Sequence, residues 1–84
     1  GRPLYYMVLS APANMARLDA IRADMANIAA GRPGNGTALP VTWLTYGVHG
    51  NEISSTDAAL MTAYHLLAAQ GDERAARIMR ETIV

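Results

Sequence analysis

The stretch YGVHGNE, residues 46–52, sets an imidazole at His49 and a carboxylate at Glu52 three positions apart, with Gly47 and Gly50 beside them. Imidazole nitrogen and carboxylate oxygen both bind zinc, at about 2.0–2.2 Å. Catalytic zinc commonly keeps three protein ligands, two histidines and a glutamate among them, and leaves its fourth position to water. A bend that turns His49 and Glu52 toward one point would supply two of the three. A helix beginning just after Glu52 would favour its ionised form, the form a metal needs. The same pair has a second reading, in which Glu52 serves that helix's amino end and His49 is an ordinary loop residue. The two glycines, which permit backbone angles closed to other residues, and the setting between an apolar run and a helix favour the metal.

The elements that must position this bend follow from the hydrophobic pattern. Leu4 to Leu9, LYYMVL, is β-rich and short, as a buried strand would be. Pro12 cannot continue a ladder, and Asn14 is a candidate N-cap. Met15, Leu18, Ile21, Met25 and Ile28 then form one apolar stripe of a helix, with Arg17, Asp24 and Asn27 off it. Gly31 stops that helix, and GRPGNG is a loop. Val41 to Tyr46, VTWLTY, reads as a second strand that delivers the bend. A second helix starts near Ser54 to Thr56 and runs to about Gln70, with Gly71 as terminator. Leu60, Ala63, Tyr64 and Leu67, widened by Met61, Leu66 and Ala68, predict that this helix is covered on much of its girth. Asp72 caps a third helix, ERAARIMRE, and TIV opens a third strand. The order β-α-β-α-α-β predicts an α/β fold, a mostly parallel sheet flanked by helices. Ligands of such sheets sit outside the carboxyl ends of strands, where this bend falls.

Composition removes several function classes. Seven arginines, no lysine and seven acidic residues leave no net charge and no basic stripe, so nucleic acid is not an expected partner. The absence of cysteine excludes disulfides and thiolate metal sites. No apolar run approaches the roughly 20 residues of a membrane span. GRPLYYMVL lacks the basic n-region, long apolar core and cleavage site of a signal peptide. It also lacks an initiator methionine, and ETIV stops as an apolar run begins. Both termini read as cut, and residues 1–84 are expected to be the N-terminal part of a single, larger catalytic domain.

YGVHGNE, followed by a Ser/Thr-rich start and an apolar helix, resembles the first metal-ligand motif of the zinc carboxypeptidases. SAPANMARLDAIR, with the loop and run after it, is similar to the segment preceding that motif in bacterial members. The resemblance covers most of the chain, with strong identity confined to the seven-residue bend. It implies an incomplete piece of an α/β/α sandwich, Zn²⁺ as cofactor, and His49 and Glu52 as zinc ligands. It also implies hydrolysis of the C-terminal amide bond of a peptide, or of a related amide-linked molecule, by zinc-activated water. A second histidine as third ligand, a glutamate as general base and arginines for the substrate carboxylate are implied far downstream. None has a matching position among these residues, so the 84-residue piece is expected to be inactive alone. Secretion or a periplasmic location is suggested by family analogy only. The related zinc amino-acyl deacylases, such as succinylglutamate desuccinylase and aspartoacylase, share the bend and would take an N-acyl amino acid. The β-α unit upstream favours the peptidase branch. A third expectation, of another class, is a non-catalytic binding or structural domain in which the bend is a remnant.

The other polar residues read as structural. Twelve residues of helix place His65 about 18 Å from Ile53, out of reach of a metal at Glu52. Asp57 lies where the helix dipole favours an acid. Arg74, Arg77 and Arg80 share a short helix with Glu73 and Glu81, the pattern of a solvated face. GRPGNG lacks the Gly-Lys-Ser/Thr ending of a phosphate loop. Ser54 and Ser55 read as helix caps rather than nucleophiles.

Overall fold

The computed structural model describes residues 1–84 and contains four helices: α1 Pro12–Met15, α2 Leu18–Ala29, α3 Ile53–Ala68 and α4 Glu73–Glu81. The helix expected from Met15 onward is broken in two. Pro12 starts the single turn α1, and α2 begins only at Leu18, with no side-chain cap at Arg17. Asn14 is not a cap but a buried residue within α1. Its Nδ2 donates to Arg80 O at 2.8 Å, Ser10 Oγ at 3.0 Å and Met79 O at 3.3 Å. Ser10 Oγ in turn lies 2.7 Å from Thr82 O and 2.9 Å from Met79 O. The last carbonyls of a helix have no donor within it. Ser10 and Asn14 supply donors to the carboxyl end of α4 and so tie the beginning of the chain to its end. Asn14→Ala strands those acceptors and is expected to cost about 1–3 kcal/mol. Urea unfolding should show it as a lower midpoint at unchanged slope; an unmoved midpoint would show that the clamp carries no stability.

Helix α4 forms as the sequence predicts, with Asp72 Oδ1 accepting from Arg74 N at 2.9 Å and Ala75 N at 3.2 Å. Helix α3 starts earlier than expected, at Ile53, with Glu52 in the N-cap position.

The expected strands do not form, and a mostly parallel sheet flanked by helices does not describe this chain: it is 49% helix and 2% strand. The runs 4–9 and 41–46 lie outside any ladder. A single parallel bridge joins Val41 to Ile83, and Leu9 exchanges both backbone hydrogen bonds with Val84 at 2.8 and 2.9 Å. The physical reason is that β-favouring side chains are stabilised by cross-strand neighbours rather than by intrinsic preference. Here only Thr82–Val84 lies between the two runs, and it engages each at one position.

The expected cover over α3 is also missing. Of its residues only Ala63 is buried, while Leu60, Met61, Tyr64 and Leu67 are exposed. The apolar core consists of Ile21, Ala63, Ala75 and Ile83. Leu4, Tyr5, Tyr6 and Trp43 are each more than three-quarters exposed. The molecule is a slab of 43 × 38 × 17 Å. Its accessible surface is 6678 Å², against about 4,900 Å² for a compact monomer of this mass. No helix is long and apolar enough to cross a membrane.

Candidate metal centre

Past the Val41–Ile83 bridge the chain runs to Tyr46, whose phenol hydrogen-bonds Thr62 Oγ1 on α3 at 3.0 Å. That cross-link fixes the approach to the bend and is not readable from local pattern. Gly47 leads into the bend with φ +65°, a conformation that side-chain-bearing residues avoid. Gly50, expected to share this role, has no left-handed φ and open space around it. One glycine, not two, is demanded by the backbone.

The bend closes when Glu52 N–H donates to His49 O at 3.1 Å. The two functional side chains then meet: His49 Nδ1 donates to Glu52 Oε1 at 2.6 Å. Glu52 Oε2 lies 3.4 Å from His49 N and 3.5 Å from Ser55 Oγ. The His49 imidazole, aided by the His49 backbone N–H, holds the Glu52 carboxyl below the usual carboxylate range. Both side chains are open to solvent, at 73% and 39%. Two donors at about 2.05 Å from a tetrahedral zinc stand about 3.3 Å apart. The Nδ1–Oε1 pair would have to open by less than about 1 Å to admit the ion, with Nδ1 giving up its proton. In donor type and spacing the pair fits zinc.

No third histidine, cysteine or carboxylate joins the pair. His65 Nε2 sits 3.7 Å from Asp72 Oδ2, at the far end of α3. Asp57 is exposed on the first turns of that helix. Arg77 pairs with Glu81 at 3.9 Å and Arg80 pairs with Glu73, all on the solvent side of α4. These residues form a solvated face, as their spacing suggested.

One residue was misplaced by the hydrophobic pattern. Asp24, off the apolar stripe of α2, is nevertheless 1% exposed. Residues 35–38 fold back over it, and Asn35 N donates to Oδ1 at 2.6 Å while Thr37 N and Ala38 N donate to Oδ2 at 2.9 and 2.8 Å. The Asn35 N–H, with those of Ala38 and Thr37, outweighs the effect of burial and holds this carboxyl below its ordinary range. Gly34 lets the loop pass so close: a Cβ there would stand 3.0 Å from the Ile28 side chain and 3.1 Å from Asp24 Oδ1. The clamped loop ends at Pro40, whose carbonyl accepts from Ile83 N at 2.9 Å. Asp24 thus sets where the run that delivers His49 begins. The available signal was one acid on a helix followed by GNGTA, a loop rich in unpaired N–H groups.

Compared with models of protein families, residues 1–84 match the one described as zinc carboxypeptidase. No curated protein and no solved structure matches the chain.

Proposed function

This chain belongs to the zinc carboxypeptidase family, and on that premise we propose that His49 and Glu52 are two protein ligands of a hydrolytic zinc centre. The observation that carries the reading is the approach of His49 Nδ1 to Glu52 Oε1, 2.6 Å at an exposed bend ahead of α3. Bound zinc would supply Lewis-acid polarisation of a scissile carbonyl and a water acidified toward a pKa of about 7. This chain's part is to hold the ligand pair. Gly47 supplies the left-handed backbone that leads into the bend, the Glu52 N–H to His49 O bond closes it, and Tyr46 anchors the approach to α3 through Thr62. Glu52 enters the site as an anion, because the His49 imidazole and N–H favour its ionised form.

The third ligand, the general base and the groups that hold the substrate's terminal carboxylate belong to the rest of the catalytic domain, and residues 1–84 alone do not hydrolyse. The substrate is a peptide cleaved at its C-terminal amide bond. The family match names the carboxypeptidases, which supports the peptidase over the deacylase.

Metal analysis of the intact protein tests this directly. One zinc per chain is expected, and His49→Ala should lower the affinity by more than the roughly 10–100-fold lost with an outer-shell partner. Equal zinc affinity in the native and His49→Ala proteins would refute ligation by that imidazole.

A further inference from the structure

The loop over Asp24 holds the chain's one Asn-Gly pair, Asn35–Gly36, and both residues are exposed. The Asn35 side chain is nevertheless held in place. Its Oδ1 accepts from Thr37 Oγ1 at 2.7 Å and from Thr37 N at 3.0 Å, a turn in which asparagine bonds the backbone two residues on. The Thr37 N–H is shared with Asp24 Oδ2 at 2.9 Å, and the hydroxyl's other neighbour, Ala20 O, is farther off at 3.3 Å. Asn35 Nδ2 and the Gly36 N–H have no hydrogen-bond partner. No atom lies within 4 Å of where a Cβ on Gly36 would stand, so its amide nitrogen is unhindered. An accessible nitrogen, an adjacent amide carbon, a free leaving group and donors on the carbonyl oxygen are the parts of an acyl-transfer site. Donors so placed stabilise the charge that develops on that oxygen as the carbon becomes tetrahedral.

We propose that Asn35 is a site of self-catalysed deamidation, with Gly36 N as nucleophile and the Thr37 hydroxyl as the group that carries the charge on Oδ1. Gly36 N bonds to Asn35 Cγ as the Cγ–Nδ2 bond breaks, and ammonia leaves with the amide proton. Water then opens the resulting succinimide. Attack at Cγ gives aspartate on the original backbone; attack at the Asn35 main-chain carbonyl gives isoaspartate, with one more carbon in the backbone. The other asparagines lack this combination. Asn14 is buried with its Nδ2 bonded to Ser10, Met79 and Arg80, Asn27 lies within α2 ahead of Ile28, and Asn51 precedes Glu52. Either product places a second carboxylate beside Asp24, whose Oδ1 is 2.6 Å from Asn35 N, and like charges so close disfavour each other. Isoaspartate also shifts the Thr37 and Ala38 amides away from Asp24 Oδ2. Conversion therefore opens the loop irreversibly, and with it the link from Pro40 to Ile83.

The test is timed incubation of the intact protein in neutral and mildly alkaline buffer, followed by peptide mapping with fragmentation that separates aspartate from isoaspartate. Conversion is expected at Asn35 ahead of Asn14, Asn27 and Asn51, faster at the higher pH. Thr37→Val should slow it by about three- to tenfold, less than the 10²–10³ lost with an oxyanion donor in an enclosed site, and Thr37→Ser should restore the native rate. The converted protein should show exchange at the Thr37 and Ala38 amides faster by about tenfold or more, with the centre of α2 still protected. Conversion at Asn35 no faster than at Asn51 would overturn the proposal. So would conversion confined to urea-unfolded protein, since the native hydrogen bonds would then be restraints. A native rate in Thr37→Val with α2 protected would likewise overturn it, because the hydroxyl would carry no charge. None of these readouts involves zinc, so either assignment can fail without the other.

Discussion

Glu52→Gln in the intact protein is expected to lower zinc affinity by more than about 100-fold and to lower peptide hydrolysis with it, because loss of an outer-shell partner alone costs about 10–100-fold. Glutamine has the shape of glutamate but not its charge, and the charge is what the ion and the His49 imidazole both use. The geometry of the bend should survive the change. The turn is closed by the Glu52 backbone N–H to His49 O, and the left-handed backbone ahead of it belongs to Gly47; neither involves the carboxylate. The side-chain oxygen of glutamine can still accept from Ser55 Oγ and the His49 N–H, which now lie 3.5 and 3.4 Å from Oε2. Unchanged helix content together with lost zinc is therefore the expected result. Competition with a chelator measures the affinity. A glutamine variant that retained native affinity would remove Glu52 from the centre, and the His49→Ala measurement would then decide whether any metal role remains.

Asp24→Asn is expected to release residues 35–38 from α2. Asn35, Thr37 and Ala38 all direct backbone N–H groups at this one carboxylate. Asparagine keeps one acceptor oxygen and replaces the other with a donor, so donor would face donor. Exchange at those three amides should accelerate by about tenfold or more, while the centre of α2 stays protected. The pH dependence has a definite sign. The folded state holds this carboxyl below its ordinary value. Its stabilisation is therefore complete above the unfolded value of about 4 and is lost as pH falls through the lower folded value. The native protein should release the loop under acid, and Asp24→Asn should show that release at neutral pH with no further acid step. An asparagine variant with native loop protection and a native acid profile would show that the three N–H groups find equivalent partners elsewhere. Because the loop ends at Pro40, which accepts from Ile83, its release loosens the start of the run that carries His49.

What residue order alone could determine here was local. The HGNE bend depends on a glycine, an imidazole and a carboxylate within six residues, and its closure is a hydrogen bond across three of them. The Asp72 cap reaches only two and three residues ahead, and the stop of the first long helix at Gly31, where φ is +70°, is likewise a property of the immediate backbone. Family membership was legible as well: the bend resembles a known metal-ligand motif, and the family model matches residues 1–84.

Tertiary structure decided everything that depends on distant partners. Asn14 looks like a cap by type, but the carboxyl end of α4, 65 and 66 residues away, claims its amide. Asp24 looks solvent-facing by periodicity, but a loop that needs an acceptor closes over it. The runs 4–9 and 41–46 have the composition of strands, yet a strand exists only when a neighbour completes its ladder. Helical hydrogen bonds close within four residues and can be read along the chain, whereas burial, clamps and ladders require a second segment that local pattern does not specify.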